Sequence, residues 1–340
     1  VTSAAAGPGD VAEAYLGTRN YQRAAEVLQS ALAEAPNDAG LLAQYARACL
    51  GLKDYQRAAQ AAHSALAAAP GDEHVMRVYA LALNGQGRRQ EALQMAWKAA
   101  TENPHIYSVH YTYASLLHEA GRSREALDVI DEALRLYPES ADSLVLRGDI
   151  HRALGSFTAA EDSYQAALRL EPDHASAVHN LAVARLKWGK LTTSINGFLG
   201  AGRLDPGLGA LARRNIGVVL IRVLRVSTAC VILLALAMIS VMAVHGDSQP
   251  TVVPRIFTAL LSLGLVAVIA WLVRSVPRPT LYAVLRERTF LAVRLGFLGF
   301  AIVAGAVTAA VGSTPLTDVL GPLLLFGAVS LRVYGWLSGQ

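Results

Sequence analysis

The side chains able to do chemistry are scattered rather than convergent. The chain has nine histidines. Six of them, His105, His110, His118, His151, His174 and His179, lack the spacing that would hold one metal ion, so each is expected as an ordinary core or surface histidine. Cys49 and Cys230 have no sequence-near partner, so neither a disulfide framework nor a metal box is expected, in keeping with a reducing compartment. There is no Gly-rich loop ending in Lys, no HExxH, no GxSxG and no CxxC. The sequence therefore predicts no enzyme, no catalytic residue, no cofactor and no metal site.

The elements that would position these groups come in two kinds. Prolines recur at Pro36, Pro70, Pro104, Pro138, Pro172 and Pro206, each 34 residues after the last. Five residues before each stands Ala31, Ala65, Ala99, Ala133, Ala167 or Ala201. Twelve before stand Ala24, Ala58, Ala92, Ala126, Ala160 and Ser194. Twenty-four before stand Ala12, Ala46, Ala80, Ala114, Gly148 and Ala182. Small residues in a fixed frame mark places where helices approach closely, and proline ends a helix because it cannot donate the next bond. Each unit reads as two amphipathic helices. Gly87, Gly121, Gly155 and Gly189 stand at the turn between them, where a left-handed backbone favours glycine. Tyr21, Tyr55, Phe157 and Leu191 open the second helices and are expected to fill gaps.

This pattern resembles the tetratricopeptide repeat family over roughly residues 5–208. It departs from the family early in the first helices, where Leu42, Met76, His110, Leu144 and Val178 replace the usual large aromatic. Residues 1–9 read as an irregular N-terminus, Gly7-Pro8-Gly9 shortening the opening helix and Asp10 with Glu13 forming a capping box. Residues 10–208 read as six repeats, with frames of about 5–38, 39–72, 73–106, 107–140, 141–174 and 175–208. The resemblance implies a superhelical solenoid whose first helices line a concave surface that takes a peptide or helix of another protein. Carried over, that surface comprises Arg47, Arg77, Asn84, Tyr111, His118, Asp149, Arg152 and His179. The Lys/Asn set of the carboxylate-clamp members is not evident, so no Hsp70/Hsp90 co-chaperone role is implied.

Beyond Pro206 the composition changes. Residues 1–208 carry 23 acidic and 19 basic groups, residues 209–340 three acidic and eleven basic. A connecting helix that caps the repeats is expected over 209–225, then four transmembrane helices at about 226–245, 256–274, 291–311 and 319–337. Each run is near the ~20 residues that match a ~30 Å hydrocarbon core. Arg274, Arg278, Arg286 and Arg288 stand in the second connection. The first has Arg255 and Asp247, and the third has no basic residue. The positive-inside rule then puts the repeats and the C-terminus in the cytoplasm. Arg294 and Arg332 are expected to snorkel at cytoplasmic ends, and Ala301, Gly305 and Ala309 to pack against a neighbouring helix.

The fold expected is all-α: a repeat solenoid followed by a polytopic transmembrane bundle. The Ala/Arg-rich composition fits a high-GC bacterium, and no secretory signal is expected in the first residues. The function expected is a scaffold or adaptor of the bacterial inner membrane. Its partners would be a protein or peptide and the lipid bilayer, with no nucleic acid. The alternative makes the bundle a transporter or a subunit of an envelope-biogenesis complex, regulated by the repeats.

Overall fold

The computed structural model describes residues 7–187, 189–246 and 251–337, and these are helical with no strand. Asp247 of the first connection lies outside the described residues. The chain divides into two compact units, Val1–Ala177 and Val178–Gln340.

The first unit contains five helix pairs: α1 (Pro8–Gly17) with α2 (Tyr21–Glu34), α3 (Ala39–Gly51) with α4 (Tyr55–Ala68), α5 (Glu73–Gly85) with α6 (Arg89–Glu102), α7 (Tyr107–Glu119) with α8 (Ser123–Leu136), and α9 (Ala141–Ala153) with α10 (Phe157–Leu170). Each second helix packs on the first helix of the next pair, and first helices pack on first helices. The small-residue columns make this possible: Ala24, Ala58, Ala92, Ala126 and Ala160 are all 0 % exposed. Every second helix stops two residues short of its proline.

Between helices the backbone turns left-handed at Gly87, Gly121 and Gly155, with φ of 80°, 79° and 80°. The same place in the first two pairs is held by Arg19 and Lys53, at φ 59° and 61°. The aromatics that open second helices meet glycines. A Cβ on Gly51 would fall 2.5 Å from the Tyr21 ring, and one on Gly85 would collide with Tyr55. At the start, the helix begins at Pro8 rather than Asp10. Proline is favoured in the first helical turn, and Asp10 accepts from the Gly7 N–H at 3.1 Å. Asp10 is thus inside the helix, and Glu13 is committed elsewhere.

The second unit holds most of α11 (Ala175–Lys187), then α12 (Leu191–Leu204), α13 (Gly209–Gly246), α14 (Val252–Ser275), α15 (Arg278–Glu287), α16 (Thr289–Val311) and α17 (Pro315–Leu337). The compact division thus falls inside the sixth pair. Ala182, Ile195 and Phe198 share one buried cluster with Ala212, Ile216, Val219 and the membrane-type helices beyond. The expected connecting helix and first span are one uninterrupted helix, α13, of 38 residues, ~57 Å long. Among the described residues, four helices are long and apolar enough to cross a membrane: Pro206–His245, Val252–Ser275, Thr289–Val311 and Pro315–Leu337.

α15 is an element that the sequence pattern had suggested only as a connection. It buries Val284 and leaves Tyr282 72 % exposed. Arg255 is structural as well. Its Nε donates to the Ala309 carbonyl at 2.9 Å, at the C-terminal end of α16 where a cation suits the helix dipole. Arg294 does not snorkel. It is 3 % exposed, donates to the Leu331 carbonyl at 3.3 Å and stacks over Phe290. In the small-residue stripe of α16, a Cβ on Gly305 would strike Ser262 and crowd Leu234, so glycine sets the approach of α13 and α14 there.

Candidate functional site

The eight residues assigned to the concave surface fall on three columns of the repeat frame, all on first helices. Seven lie in the first unit: Arg47 on α3, Arg77 and Asn84 on α5, Tyr111 and His118 on α7, Asp149 and Arg152 on α9. Adjacent first helices pack side by side, which lets residues about 34 apart meet. Arg47 reaches Glu13 of α1 at 3.0 and 3.1 Å. Asn84 donates to Glu119 of α7 at 2.7 Å. His174 accepts from the Ala177 N–H through Nδ1 at 3.3 Å, so its Nε2 donates to Asp142 at 3.0 Å.

Other contacts run within a repeat. Arg77 lies 3.7 Å from Glu73 and 3.3 Å from His74. His118 sits 3.3 Å from the Ser123 hydroxyl. Tyr164 donates to Asp149 at 2.6 Å, and Arg152 pairs with the same carboxylate at 3.3 Å. Of the assigned residues, Asp149 and Arg152 bond each other directly, while Glu13 ties Arg47, Glu73 ties Arg77, Glu119 ties Asn84, Ser123 ties His118 and Tyr164 ties Asp149. Sequence reasoning missed these. Glu13 had a signal, since it stands in the column of Arg47 and Asp149, but it was spent on a helix cap.

Charges along this face are matched locally: Arg47 meets Glu13, Arg77 meets Glu73 and Asp149 meets Arg152. Burial lowers the pKa of His74, and the Arg77 and Arg47 charges push it the same way. Tyr111 is pushed up to about 12, chiefly by burial and then by Asp142, Asp149 and Glu119. Both are thus neutral near pH 7. Burial also raises the Cys49 thiol, so it is held protonated and unreactive.

His179, the eighth residue, belongs to the second unit. It is 5 % exposed, contacts the Phe198 ring at 5.3 Å and meets the Asn215 amide at 3.1 Å. It joins the sixth repeat to α13 rather than facing solvent. Arg222 reinforces that joint by donating to the Leu186 carbonyl at 3.2 Å, and Trp271 ties the same repeat to α14 by donating to Thr192 at 3.0 Å.

The second-helix side of the first unit has hollows that the sequence did not signal. Two, of about 410 and 280 Å³, flank the His63–Tyr79 edge contact. Ala59 lines the larger and Ala67 the smaller, both on α4, where longer side chains would fill the space. Among the described residues no group of three His, Cys, Asp or Glu is arranged to hold a metal ion.

Tetratricopeptide repeat family models match residues 15–82, 80–141, 111–175 and 145–208, together more than half of the chain. Among solved structures, the chain is similar to TTC0263, a thermophilic tetratricopeptide protein of Thermus thermophilus, at 21 % identity, covering 53 % of this chain and 97 % of that one, with TM-score 0.49. It is similar to PilF of Pseudomonas aeruginosa at 20 % identity, covering 59 % and 91 %, TM-score 0.48. For MamA of Desulfovibrio magneticus RS-1 the values are 18 %, 50 % and 96 %, and 0.42. No curated protein matches the chain.

Proposed function

The chain belongs to the tetratricopeptide repeat family, a protein-interaction scaffold, and from that premise we propose that it is a membrane-anchored adaptor of the bacterial inner membrane. Its repeats recruit a protein or peptide partner to the cytoplasmic face, and no reaction is catalysed. The observation that carries this reading is α13, a 38-residue helix that starts against the sixth repeat and becomes the first apolar span. The arginines of the second connection support the inward orientation. Tethering raises the partner's local concentration at the bilayer without any new contact.

The partner surface is the first-helix face of repeats two to five. Arg77 and Tyr111 are the anchors expected to matter most, since Arg and Tyr dominate interface energetics. The test is affinity purification of the full-length protein from membranes in mild detergent, beside an Arg77→Ala/Tyr111→Ala double variant. Loss of the co-purifying partner from the variant is expected. An unchanged set of partners would remove this face from the proposal.

One observation favours a second reading, in which the bundle itself works in transport or envelope biogenesis. Arg294 is buried in α16, and its Nε and Nη1 have no hydrogen-bond partner among the described residues. Intramembrane ionisable residues commonly mark function. Arg294→Gln discriminates: a transport or envelope phenotype in a variant that inserts normally favours the working bundle, and a silent variant favours the anchor.

A further inference from the structure

We propose that the outer groove between α14 and α16 holds one anionic phospholipid, an acyl chain lying along the groove and the phosphate meeting Arg274. This rests on the membrane-anchored reading above. Two hollows, of about 580 and 430 Å³, lie end to end there, sharing Val266 and Ile302 in their walls. The walls are apolar: Ser262, the one hydroxyl among them, is occupied by its bond to the Thr258 carbonyl at 2.8 Å. From Ala259 to Arg274 the helix rises ~22 Å, more than half of a ~30 Å hydrocarbon core.

Small residues open the groove, and they differ from the small residues that close the bundle. A Cβ at Gly305, Gly321 or Gly327 would meet Ser262, Ile239 or Phe297, so those glycines bring helices together. A Cβ at Gly299, in the groove wall, would meet nothing within 4 Å. The side chain missing at Gly299 is therefore replaced by no neighbour, and the space it leaves is available to a chain from outside the protein.

Charge selects the occupant. Arg274 lines one end of the groove, is exposed, and has no ion pair among the described residues. It stands in the last turn of α14, and Arg278, Arg286 and Arg288 follow between α14 and α16. The acid there, Glu287, pairs with Arg213 at 3.4 Å. An apolar channel ending at an uncompensated cation matches an acyl chain ending at a phosphodiester, whereas a transmembrane helix would leave Arg274 unpaired.

The full-length protein in mild detergent, titrated with phosphatidylglycerol or phosphatidylcholine and read by native mass spectrometry, tests this. One phosphatidylglycerol per chain is expected, retained at least tenfold better than phosphatidylcholine. Arg274→Gln should remove that preference. Gly299→Leu should fill the groove and abolish retention of both lipids, while Gly264→Leu, on α14 with equally open space but outside the groove, should retain lipid as wild type does. Equal retention of the two lipids, equal behaviour of the two leucine variants, or a dimer in place of a lipid adduct would overturn the proposal. Carbonate extraction separates the premises: a protein stripped from membranes sinks the anchor itself, and one that stays but binds no lipid sinks only this site.

Discussion

Tyr164 of α10 donates its hydroxyl hydrogen to the Asp149 carboxylate of α9 at 2.6 Å, and its ring lies where a side chain on Gly148 would have to go. The ring is fully buried. One tyrosine thus satisfies a carboxylate of the candidate surface and also sets the spacing of the two helices. Tyr164→Phe keeps the ring and removes a hydrogen bond to a charged group, so a loss of about 1.5–3 kcal/mol is expected. Gly148→Val forces a branched side chain into the ring, with a loss on the order of 1–3 kcal/mol. Chemical unfolding followed by near-ultraviolet circular dichroism measures both. Wild-type stability in either variant would refute the corresponding role.

The turns of the first two repeats are strained where the later ones are not. Arg19 and Lys53 hold φ of 59° and 61° in the column occupied by glycine at Gly87, Gly121, Gly155 and Gly189. A left-handed residue with a Cβ costs roughly 1–2 kcal/mol, partly offset by the extra unfolded-state freedom of glycine. Lys53→Gly should therefore stabilise the protein by about 0.5–1 kcal/mol, and Arg19→Gly similarly. Gly121→Lys should destabilise by a comparable amount. Thermal melts of the three variants decide the matter, and a drop in Tm for Lys53→Gly would contradict it.

These turns also show what can be read from the sequence. The repeat frame was legible because helix contact leaves no room for a large side chain, and that demand recurs every 34 residues as Ala, Gly or Ser. The same turn went unread at Arg19 and Lys53, because a long polar side chain tolerates the strain without advertising it. The four apolar helices were legible from length alone. α15 was not, since ten residues with Leu281, Val284 and Leu285 on one face are too few for a clear period, and the flanking arginines read as a loop. The polar pairs were least legible. Glu13 with Arg47, or Asn84 with Glu119, depends on which side chain of a column reaches its neighbour, and residue type does not encode that.

The candidate surface should respond to pH at both ends of the scale. Tyr111 has its pKa raised to about 12, burial being the largest cause. Its neutral form is favoured in the folded protein, so that contribution is complete below about pH 10 and is lost as pH rises toward 12. His74 has its pKa lowered from the ordinary 6.5 by burial and by Arg77 and Arg47, against the opposing pull of Glu73 and Asp72. Its contribution is present above pH 6.5 and is lost as pH falls below that value. Tyr111→Phe should flatten the alkaline limb of the Tm profile, and His74→Gln the acid limb. A wild-type limb in either variant would show that the residue does not govern it.

The joint between the sixth repeat and α13 yields the most direct test of how this protein is held together. Phe198 and Ile216 are both 0 % exposed within one cluster that runs from the repeat into the membrane-type helices. Phe198→Ala removes the largest fully buried side chain of that seam and should cost about 3–5 kcal/mol. Leu28→Ala, at a fully buried site in the first unit, should cost about 2–5 kcal/mol but leave the seam intact. Limited proteolysis of the full-length protein separates the two. Phe198→Ala is expected to expose cleavage sites within 178–208, because its repeat loses the surface it packs on while α14, α16 and α17 still bury α13. Leu28→Ala is expected to be cut nearer the N-terminus, with 178–208 protected as in wild type. The same fragments from both variants would mean that the sixth repeat is not stabilised by α13, and that the continuous apolar cluster is adjacency without cooperative consequence.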